Sequence, residues 1–257
     1  MAQDTIITVS HLKNQLGGKW VHQDVNFSVK RGEIIAIIGG SGCGKTTLLR
    51  SILCLLKPTA GDISVFGTNV ITASESALLA VQKRWGVMFQ SSALFSSLTV
   101  LENILYVLNE YSGLSHTGQV ELAKIKIMLA GLEPEAAYKY PSELSGGMKK
   151  RAALARAIAL DPELIFLDEP TSGLDPRSAG GLDDLILDMR KNLGLTFVMV
   201  THDTDTLCYV PDRVIFLGEG RVLACDTFDA VKKNHHPTIL AYFSGHRMQR
   251  GEAWKEK

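Results

Sequence analysis

Two kinds of hydrophobic pattern in the first sixty residues predict strands followed by a helix. Across Val21–Val29 apolar and polar positions alternate, which is typical of a half-exposed antiparallel strand. The run Ile34–Ile38 is apolar throughout, as expected for a strand covered on both faces. Leucine and isoleucine then recur at helical spacing over Leu48–Leu56, before Pro58 and Gly61. This segment therefore predicts strand, strand and helix.

Later apolar runs extend this alternation and predict a mostly parallel sheet. Strand-like runs recur at Val87–Phe89, Leu164–Leu167 and Thr196–Val200, separated by segments long enough for helices. Such alternation is typical of a parallel sheet with helices on its faces. Near the end, Arg213–Leu217 and Arg221–Cys225 flank a glycine-containing turn and predict a hairpin.

The stretch from Ser91 to Leu160 differs, because it carries three helical patterns and no strand. We therefore predict a single domain over residues 1–257. Its α/β core covers 1–90 and 161–234 and includes an antiparallel β subdomain near the N-terminus. Residues 91–160 form a helical insertion, and 235–257 form a polar, weakly patterned tail for which disorder is an open alternative.

Composition narrows the classes of function. The chain has 27 Lys and Arg and 27 Asp and Glu, so its formal charge of zero gives no global attraction to nucleic acid or to anionic lipid. Local charged patches stay an open alternative, and we predict no nucleic-acid partner. No apolar run approaches the roughly 18 residues of a membrane span, and residues 1–5 lack a secretory pattern. The four cysteines form no Cys-x-x-Cys pair and predict reduced thiols in the cytosol. Any role at a membrane therefore requires a partner.

The segment between the buried strand and the first helix matches a phosphate-binding loop followed by Lys and Thr. Glycines let successive backbone N–H groups turn inward, and the helix N-terminus favours negative charge. Lys45 is expected to reach the β- and γ-phosphates of ATP, and the Thr46 hydroxyl to bind Mg²⁺. Cys43 is either a reactive thiol at the helix start or a passive loop residue. The predicted ATP-binding residues here are Gly39, Gly40, Ser41, Gly42, Cys43, Gly44, Lys45, Thr46 and Thr47.

A second candidate element is the acidic pair after Leu164–Leu167. Strand ends of this kind are where open α/β sheets bind their ligands. Asp168 is expected to hold Mg²⁺, directly or through water. Glu169 is expected to act as general base on the attacking water.

The third element, Leu144–Met148, opens an alanine-rich helix that is predicted to run to about Leu160, and its Leu-Ser-Gly-Gly start resembles the signature of ABC-type ATPases. The resemblance implies that Ser145, Gly146 and Gly147 contact the γ-phosphate of ATP held by a second copy, whereas an ordinary N-capped helix is the alternative.

Three further matches follow in the order of that family. Gln90 matches the glutamine that contacts Mg²⁺ and the attacking water. Asp175 closes a Ser-Gly-Leu-Asp segment that resembles the D-loop of the dimer interface. His202 resembles the histidine that reaches the γ-phosphate, so Glu169, His202 and Lys45 are the expected catalytic residues. The implied fold is a P-loop NTPase core, and the implied activity is ATP hydrolysis.

The adenine contact departs from the family pattern. An aromatic residue that stacks on the base is expected where alignment on Asp24 places Leu16, and Trp20 is the nearest aromatic. Base stacking is therefore either weak or supplied by Trp20.

Several segments narrow the resemblance to the ATPases of Mla/MCE lipid-transport systems. These segments are Phe89–Val100, Met148 after the signature, Arg151–Leu160 and the tail motif Tyr242–Arg247. The resemblance implies a homodimer around two ATP that drives an integral membrane permease from the cytoplasmic face of the inner membrane. It also implies an MCE-type lipid-binding protein with phospholipid or another lipid as cargo, allows a STAS-domain regulator, and raises the possibility that the tail clasps the second copy.

Two rival functions share these motifs. A soluble ABC ATPase that moves no substrate, such as a subunit of an iron–sulfur assembly scaffold, carries the same nucleotide elements. A nucleic-acid ABC ATPase commonly has two cassettes or a long coiled coil, and the sequence shows neither. A kinase or GTPase does not explain Leu144–Gly147.

Overall fold

The computed structural model describes residues 4–244, which form two compact units. The first unit contains the chain up to Val81 and from Val198 onward, and the second contains Gln82–Phe197. The strands are β1 (Thr5–Leu16), β2 (Lys19–Lys30), β3 (Ile34–Ile38), β4 (Ala60–Val65), β5 (Thr68–Asn69), β6 (Trp85–Met88), β7 (Leu164–Asp168), β8 (Thr196–Val200), β9 (Arg213–Gly218) and β10 (Arg221–Asp226).

The helices connect these strands, and in the described residues none is long and apolar enough to cross a membrane. The α-helices are α1 (Lys45–Ile52), α2 (Glu75–Gln82), α3 (Val100–Tyr111), α4 (His116–Leu129), α5 (Gly146–Ala157), α6 (Pro176–Leu193), α7 (Thr204–Tyr209), α8 (Phe228–Lys232) and α9 (Pro237–Phe243). Two 3₁₀ turns cover Pro134–Tyr138 and Pro141–Glu143.

In the first unit the strands follow the order β5-β4-β1-β2-β10-β9-β3. The pairs β1–β2, β1–β4 and β4–β5 are antiparallel, which confirms the predicted antiparallel subdomain near the N-terminus. The pair β9–β10 is the predicted hairpin, and β3 lies parallel to β9. Val25, Phe27 and Val29 of β2 are buried while Asp24 and Asn26 are exposed, as the alternation predicts.

In the second unit β6 and β7 are parallel neighbours, and three helices follow β6 in the chain before β7, as predicted. The β6 backbone comes close to α5, because a Cβ added at Gly86 would lie 2.0 Å from the Ala157 carbonyl oxygen. The Trp85 ring meets Phe166 of β7 edge-on at 5.7 Å between centroids. All five residues of β7 are buried, so the acidic residue at its end has a fixed position.

Several predicted boundaries are wrong by one to four residues. The first helix ends at Ile52 rather than Leu56, because Cys54 adopts a left-handed backbone with φ of 59°. The alanine-rich helix ends at Ala157 rather than Leu160, and Asp161 is likewise left-handed. The strand predicted over Val87–Phe89 is Trp85–Met88.

The sequence patterns missed several elements, among them β1 and α9. β1 was not predicted, because register shifts interrupt its alternation. The beginning of the tail is ordered rather than featureless: α9 buries Ile239 and packs the Tyr242 ring 5.2 Å from the Phe216 ring. The tail motif Tyr242–Arg247 falls partly outside the described residues, since its last three positions lie beyond Ser244.

Candidate functional site

The phosphate-binding loop links β3 to α1 in the first unit, and its shape depends on two glycines. Gly39 has a φ of 151° and Gly44 a φ of 100°. A Cβ at Gly39 would lie 2.2 Å from the Leu217 carbonyl oxygen, and one at Gly44 would lie 2.4 Å from Nε2 of His22. Any larger residue at either position would displace backbone or a buried ring. The loop therefore requires glycine for both conformation and space.

The charges around this loop suit an anion. Lys45 Nζ donates to the carbonyl oxygens of Gly39 at 2.8 Å and Gly40 at 3.1 Å, so its ammonium lies directly over the loop. The N-cap of α1 is Gly44, which supplies no side-chain hydrogen bond, and the first turn has no acidic residue. The N–H groups of that turn, with the exposed Thr46 and the half-buried Thr47, thus fit a polyphosphate.

A buried polar network lies behind the loop, and sequence patterns did not reveal it. The Asn14 amide donates to Nδ1 of His22 at 2.9 Å and to the Ser51 hydroxyl at 3.1 Å. Ser51 in turn donates to the Thr47 carbonyl at 3.0 Å. Because Nδ1 accepts a hydrogen bond, the neutral His22 ring carries its proton on Nε2, which faces Gly44.

Burial keeps that histidine neutral. His22 is completely buried, and desolvation lowers its pKa to about 4, although the neighbouring Gly44 backbone opposes the shift. A network of neutral groups therefore supports the start of α1.

In the second unit the acidic pair lies at the end of β7. Asp168 is the last residue of the strand and is 9% exposed. Glu169 is half-buried, with a left-handed φ of 48°, an uncommon conformation for a residue with a side chain. Backbone strain at such a position is a frequent property of functional sites.

A lysine that sequence analysis missed joins the Gln90 and Glu169 segments. Lys150 Nζ donates to the Gln90 carbonyl oxygen at 2.7 Å and to the Glu169 carbonyl oxygen at 3.1 Å. The exposed Gln90 side chain also reaches the Ser172 hydroxyl at 3.5 Å. The structure thus brings Gln90 and the acidic pair together within the second unit.

The signature residues start α5. Ser145 is the N-cap, and its hydroxyl accepts a hydrogen bond from the Met148 N–H at 3.2 Å, as in an ordinary capped helix. Ser145 and Gly146 are exposed, and Gly147 is half-buried. Added Cβ atoms at Gly146 and Gly147 would touch Leu174 and Ser178 at 3.4 and 3.5 Å, so the signature lies against the residue before the α6 cap and against the first turn of α6.

Asp175 serves as the N-cap of α6, where its carboxylate accepts a hydrogen bond from the Ser178 N–H at 3.0 Å. The hydrogen bonds with Ser178 lower the pKa of this exposed carboxyl group. Its place in the structure is therefore a helix cap, and a nucleotide contact remains a prediction.

The remaining predicted positions lie in the first unit. His202 is exposed and follows β8. Leu16 and Trp20 lie close to the turn between β1 and β2 and are 41% and 50% exposed. Val21, the residue after Trp20, lies against the phosphate loop, because its Cγ1 would be 2.6 Å from a Cβ at Gly44. The structure thus puts Trp20 one residue from a loop contact.

Comparisons with known proteins show what the whole chain is similar to. Residues 22–172 match a family described as ABC transporter. The chain is 40% identical over 229 residues to the Escherichia coli K12 intermembrane phospholipid transport system ATP-binding protein MlaF, covering 89% of this chain and 85% of that protein. It is 37% identical over 240 residues to MlaF of Haemophilus influenzae, covering 93% and 90%.

A solved structure is similar as well. A dimeric post-hydrolysis state of the ATP-binding cassette MJ0796, bound to ADP and Pi, is 30% identical, with a TM-score of 0.78. The match covers 86% of this chain and 98% of that one.

Proposed function

The chain belongs to the ABC transporter family, and from that premise we propose that two copies close around two ATP molecules and drive a membrane permease that moves phospholipid. The predicted family and its ATP hydrolase activity are confirmed by the family match and by the two MlaF relatives. The observation that carries the lipid proposal is the 40% identity to MlaF over 89% of this chain.

The phosphate loop would bind the β- and γ-phosphates of ATP. Gly39 and Gly44 keep the cradle free of side chains that would fill it. Lys45 would exchange its bonds to the loop carbonyls for bonds to phosphate oxygens. ATP is thus held mainly by backbone N–H groups and one mobile cation.

Three residues that the family resemblance assigns to the metal have side-chain oxygens suited to magnesium. The exposed hydroxyl of Thr46, the carboxylate of Asp168 and the amide oxygen of Gln90 are hard ligands of the kind this ion prefers. When bound, the ion would neutralise charge on the phosphates.

Hydrolysis would depend on a few further side chains. Glu169 would accept a proton from the attacking water. General-base catalysis of this kind typically raises the rate by about 10²–10⁴-fold. The half-buried position of Glu169 at the end of a rigid strand supports that role. Gln90 would orient the water, and His202 would contact the γ-phosphate.

The second copy would complete each site. Ser145 and the exposed start of α5 offer N–H groups and a helix dipole to a γ-phosphate held by the partner. Asp175 would face the same interface. Hydrolysis then removes the bridging phosphate and favours opening, which is a switch based on differential binding.

The partners follow from the same proposal. The ATPase dimer would bind the cytoplasmic side of an integral permease in the inner membrane, with an MCE-type lipid-binding protein and a STAS-domain regulator completing the system. A soluble scaffold ATPase is the competing function, and no observation favours it.

One experiment tests the dimer and the permease together. The tagged Glu169→Gln variant is purified with ATP and Mg²⁺ from membranes of its host in gentle detergent. We expect two copies of the chain with an integral membrane protein and bound phospholipid, because removal of the base leaves ATP intact and the dimer closed. Mass spectrometry and light scattering identify the components and their stoichiometry.

The control is the Lys45→Ala/Glu169→Gln double variant, which should yield no trapped dimer because it binds ATP weakly. An ATP-bound monomer would contradict the shared site. A dimer that purifies with a soluble scaffold and no membrane protein would support the competing function instead.

A further inference from the structure

The signature helix α5 carries a buried lysine that has no place in the motifs. Lys150 is 5% exposed, although a lysine is rarely buried unless its charge is satisfied. Burial lowers the pKa of its ammonium group, while the carboxylates of Glu169 and Asp168 oppose that shift. Its two acceptors are the carbonyl oxygens of Gln90 and Glu169. Both belong to residues with proposed roles in hydrolysis.

The hydrogen bond from Lys150 to the Glu169 carbonyl oxygen restricts the backbone of the residue that carries the proposed base. This residue has the left-handed φ of 48°, and its carbonyl also accepts a hydrogen bond from the Ser172 N–H at 3.2 Å. Strained conformations persist only when surrounding contacts enforce them. Since the carbonyl carbon and the side chain are both bonded to Cα, holding the carbonyl fixes the Cα–Cβ direction from which the Glu169 carboxylate extends.

The hydrogen bond from Lys150 to the Gln90 carbonyl oxygen holds the loop after β6. A second cation on α5, Arg156, holds the same loop. Arg156 donates to the carbonyl oxygens of Ser92 at 3.0 Å and Ala93 at 2.7 Å. Those two residues are also left-handed, with φ of 65° and 46°. The helix thus holds the loop after β6 at three carbonyls, and Lys150 joins this loop to Glu169 as well.

We propose that Lys150 is a positioning residue that couples the two ATP sites of the dimer, which rests on the function proposed above. Ser145 at the start of α5 would contact the ATP of the partner, whereas Gln90 and Glu169 act on the chain's own ATP. Five residues of one rigid helix, about 7–8 Å, separate Ser145 from Lys150. When α5 moves because Ser145 binds the γ-phosphate of the partner's ATP, the Lys150 ammonium group therefore moves with it and displaces Glu169, the base that acts on the chain's own ATP.

The test compares Lys150→Met, which keeps the length and loses the charge, with Lys150→Arg and with Lys149→Met on the same helix. ATP turnover, the Hill coefficient for ATP and the Kd for ATP are measured on the full chain. We expect Lys150→Met to lower kcat by about 10- to 100-fold, the range for a lost hydrogen bond to a charged group. The Hill coefficient should fall towards 1 while the Kd of a single chain changes less than about twofold, since the phosphate loop is untouched.

The controls separate positioning from folding. Lys150→Arg should recover part of kcat, and Lys149→Met should leave kcat and the Hill coefficient within about twofold of the original chain. Wild-type kcat and Hill coefficient in Lys150→Met would overturn the inference. If the methionine variant does not fold, Lys150→Gln, whose neutral amide replaces the charge, is measured in its place, and wild-type kcat and Hill coefficient in that variant would overturn the inference equally.

The proposed function has a separate readout. Glu169→Gln that still traps an ATP-bound dimer, together with an unaffected Lys150→Met, would leave the proposed function intact and reject the coupling role alone. Failure of Glu169→Gln to dimerise would reject the shared site, and the coupling with it.

Discussion

In the first unit the phosphate loop is supported by glycine conformations and neutral side chains, whereas in the second unit the loops after β6 and β7 are held by two cations, the buried Lys150 and the half-buried Arg156. Asn14 and His22 support one loop through neutral hydrogen bonds of ordinary length. Lys150 and Arg156 each bind two carbonyl oxygens, and Lys150 joins two loops. A neutral network fixes a single loop in place, while a buried charge that loses its partners costs much more and so links its loops tightly.

The largest effect is expected where the second unit depends on close backbone packing. Gly86→Ala would put a methyl group 2.0 Å from the Ala157 carbonyl oxygen. We expect a loss of at least about 3 kcal/mol in the free energy of unfolding, hence a Tm lower by roughly 6 to 12 °C, because β6 and α5 must separate. Thermal unfolding followed by circular dichroism measures the change.

The matched control is Gly180→Ala on the exposed face of α6, where an added methyl meets no atom within 4 Å. It should leave Tm unchanged or raise it slightly, since alanine favours a helix by about 1 kcal/mol over glycine. Equal losses in both variants would contradict the close contact at Gly86.

An effect of intermediate size on stability is expected when the pH is lowered. The stability that the neutral network around His22 contributes should depend on pH, which distinguishes this network from the contacts of Lys150 and Arg156. The pKa of His22 is lowered from 6.5 to about 4 in the folded chain, so the unfolded chain binds more protons between these values. The contribution of His22 to stability is therefore present above pH 6.5 and is lost as the pH falls towards 4. His22→Gln should reduce this loss, measured as Tm against pH from 7 to 4.

The control is His116→Gln at the exposed start of α4. This change should leave the slope of Tm against pH as it is in the original chain. A His22→Gln slope that matches the original slope would show that the buried ring does not contribute to acid sensitivity.

The smallest effect is expected at the edge of the first unit, where Trp20 is half-exposed beside a loop contact. If its ring stacks on adenine, Trp20→Ala should weaken ATP binding about fivefold, equivalent to about 1 kcal/mol, with ATP titrations as the measurement. Trp20→Phe should keep most of the affinity, and Leu16→Ala should change it less than twofold. A larger loss at Leu16 would move the base contact to that residue.

Whether the sequence predicts a structural feature depends on how far apart in the chain its contacting residues lie. The phosphate loop and β3 were predictable because a short contiguous segment sets their conformation. Lys150 was not, since its partner Gln90 lies 60 positions away and nothing in α5 marks that lysine as buried. His22 escaped for a similar reason, because it looks like one polar position of an alternating strand.

The ends of helices were predicted wrongly for a different physical reason. Leu55 continues the apolar spacing of α1, yet it is 61% exposed after the left-handed turn at Cys54. Hydrophobic spacing reports which face could be buried, and the backbone conformation that ends a helix is set by local contacts that spacing does not encode.

The short helix α9 also sets a limit on how this protein can be shortened or fused. The centroid of its Tyr242 ring lies 5.2 Å from that of Phe216 in β9. The centroid of its Phe243 ring lies 5.8 Å from that of Phe228 in α8. Thr238 also donates to the Glu219 carboxylate at 2.6 Å, which joins α9 to the β9–β10 turn. A chain cut before Pro237 would leave those rings without their partners, so a shortened version, or one that carries a label in place of its tail, has to retain the sequence through Ser244.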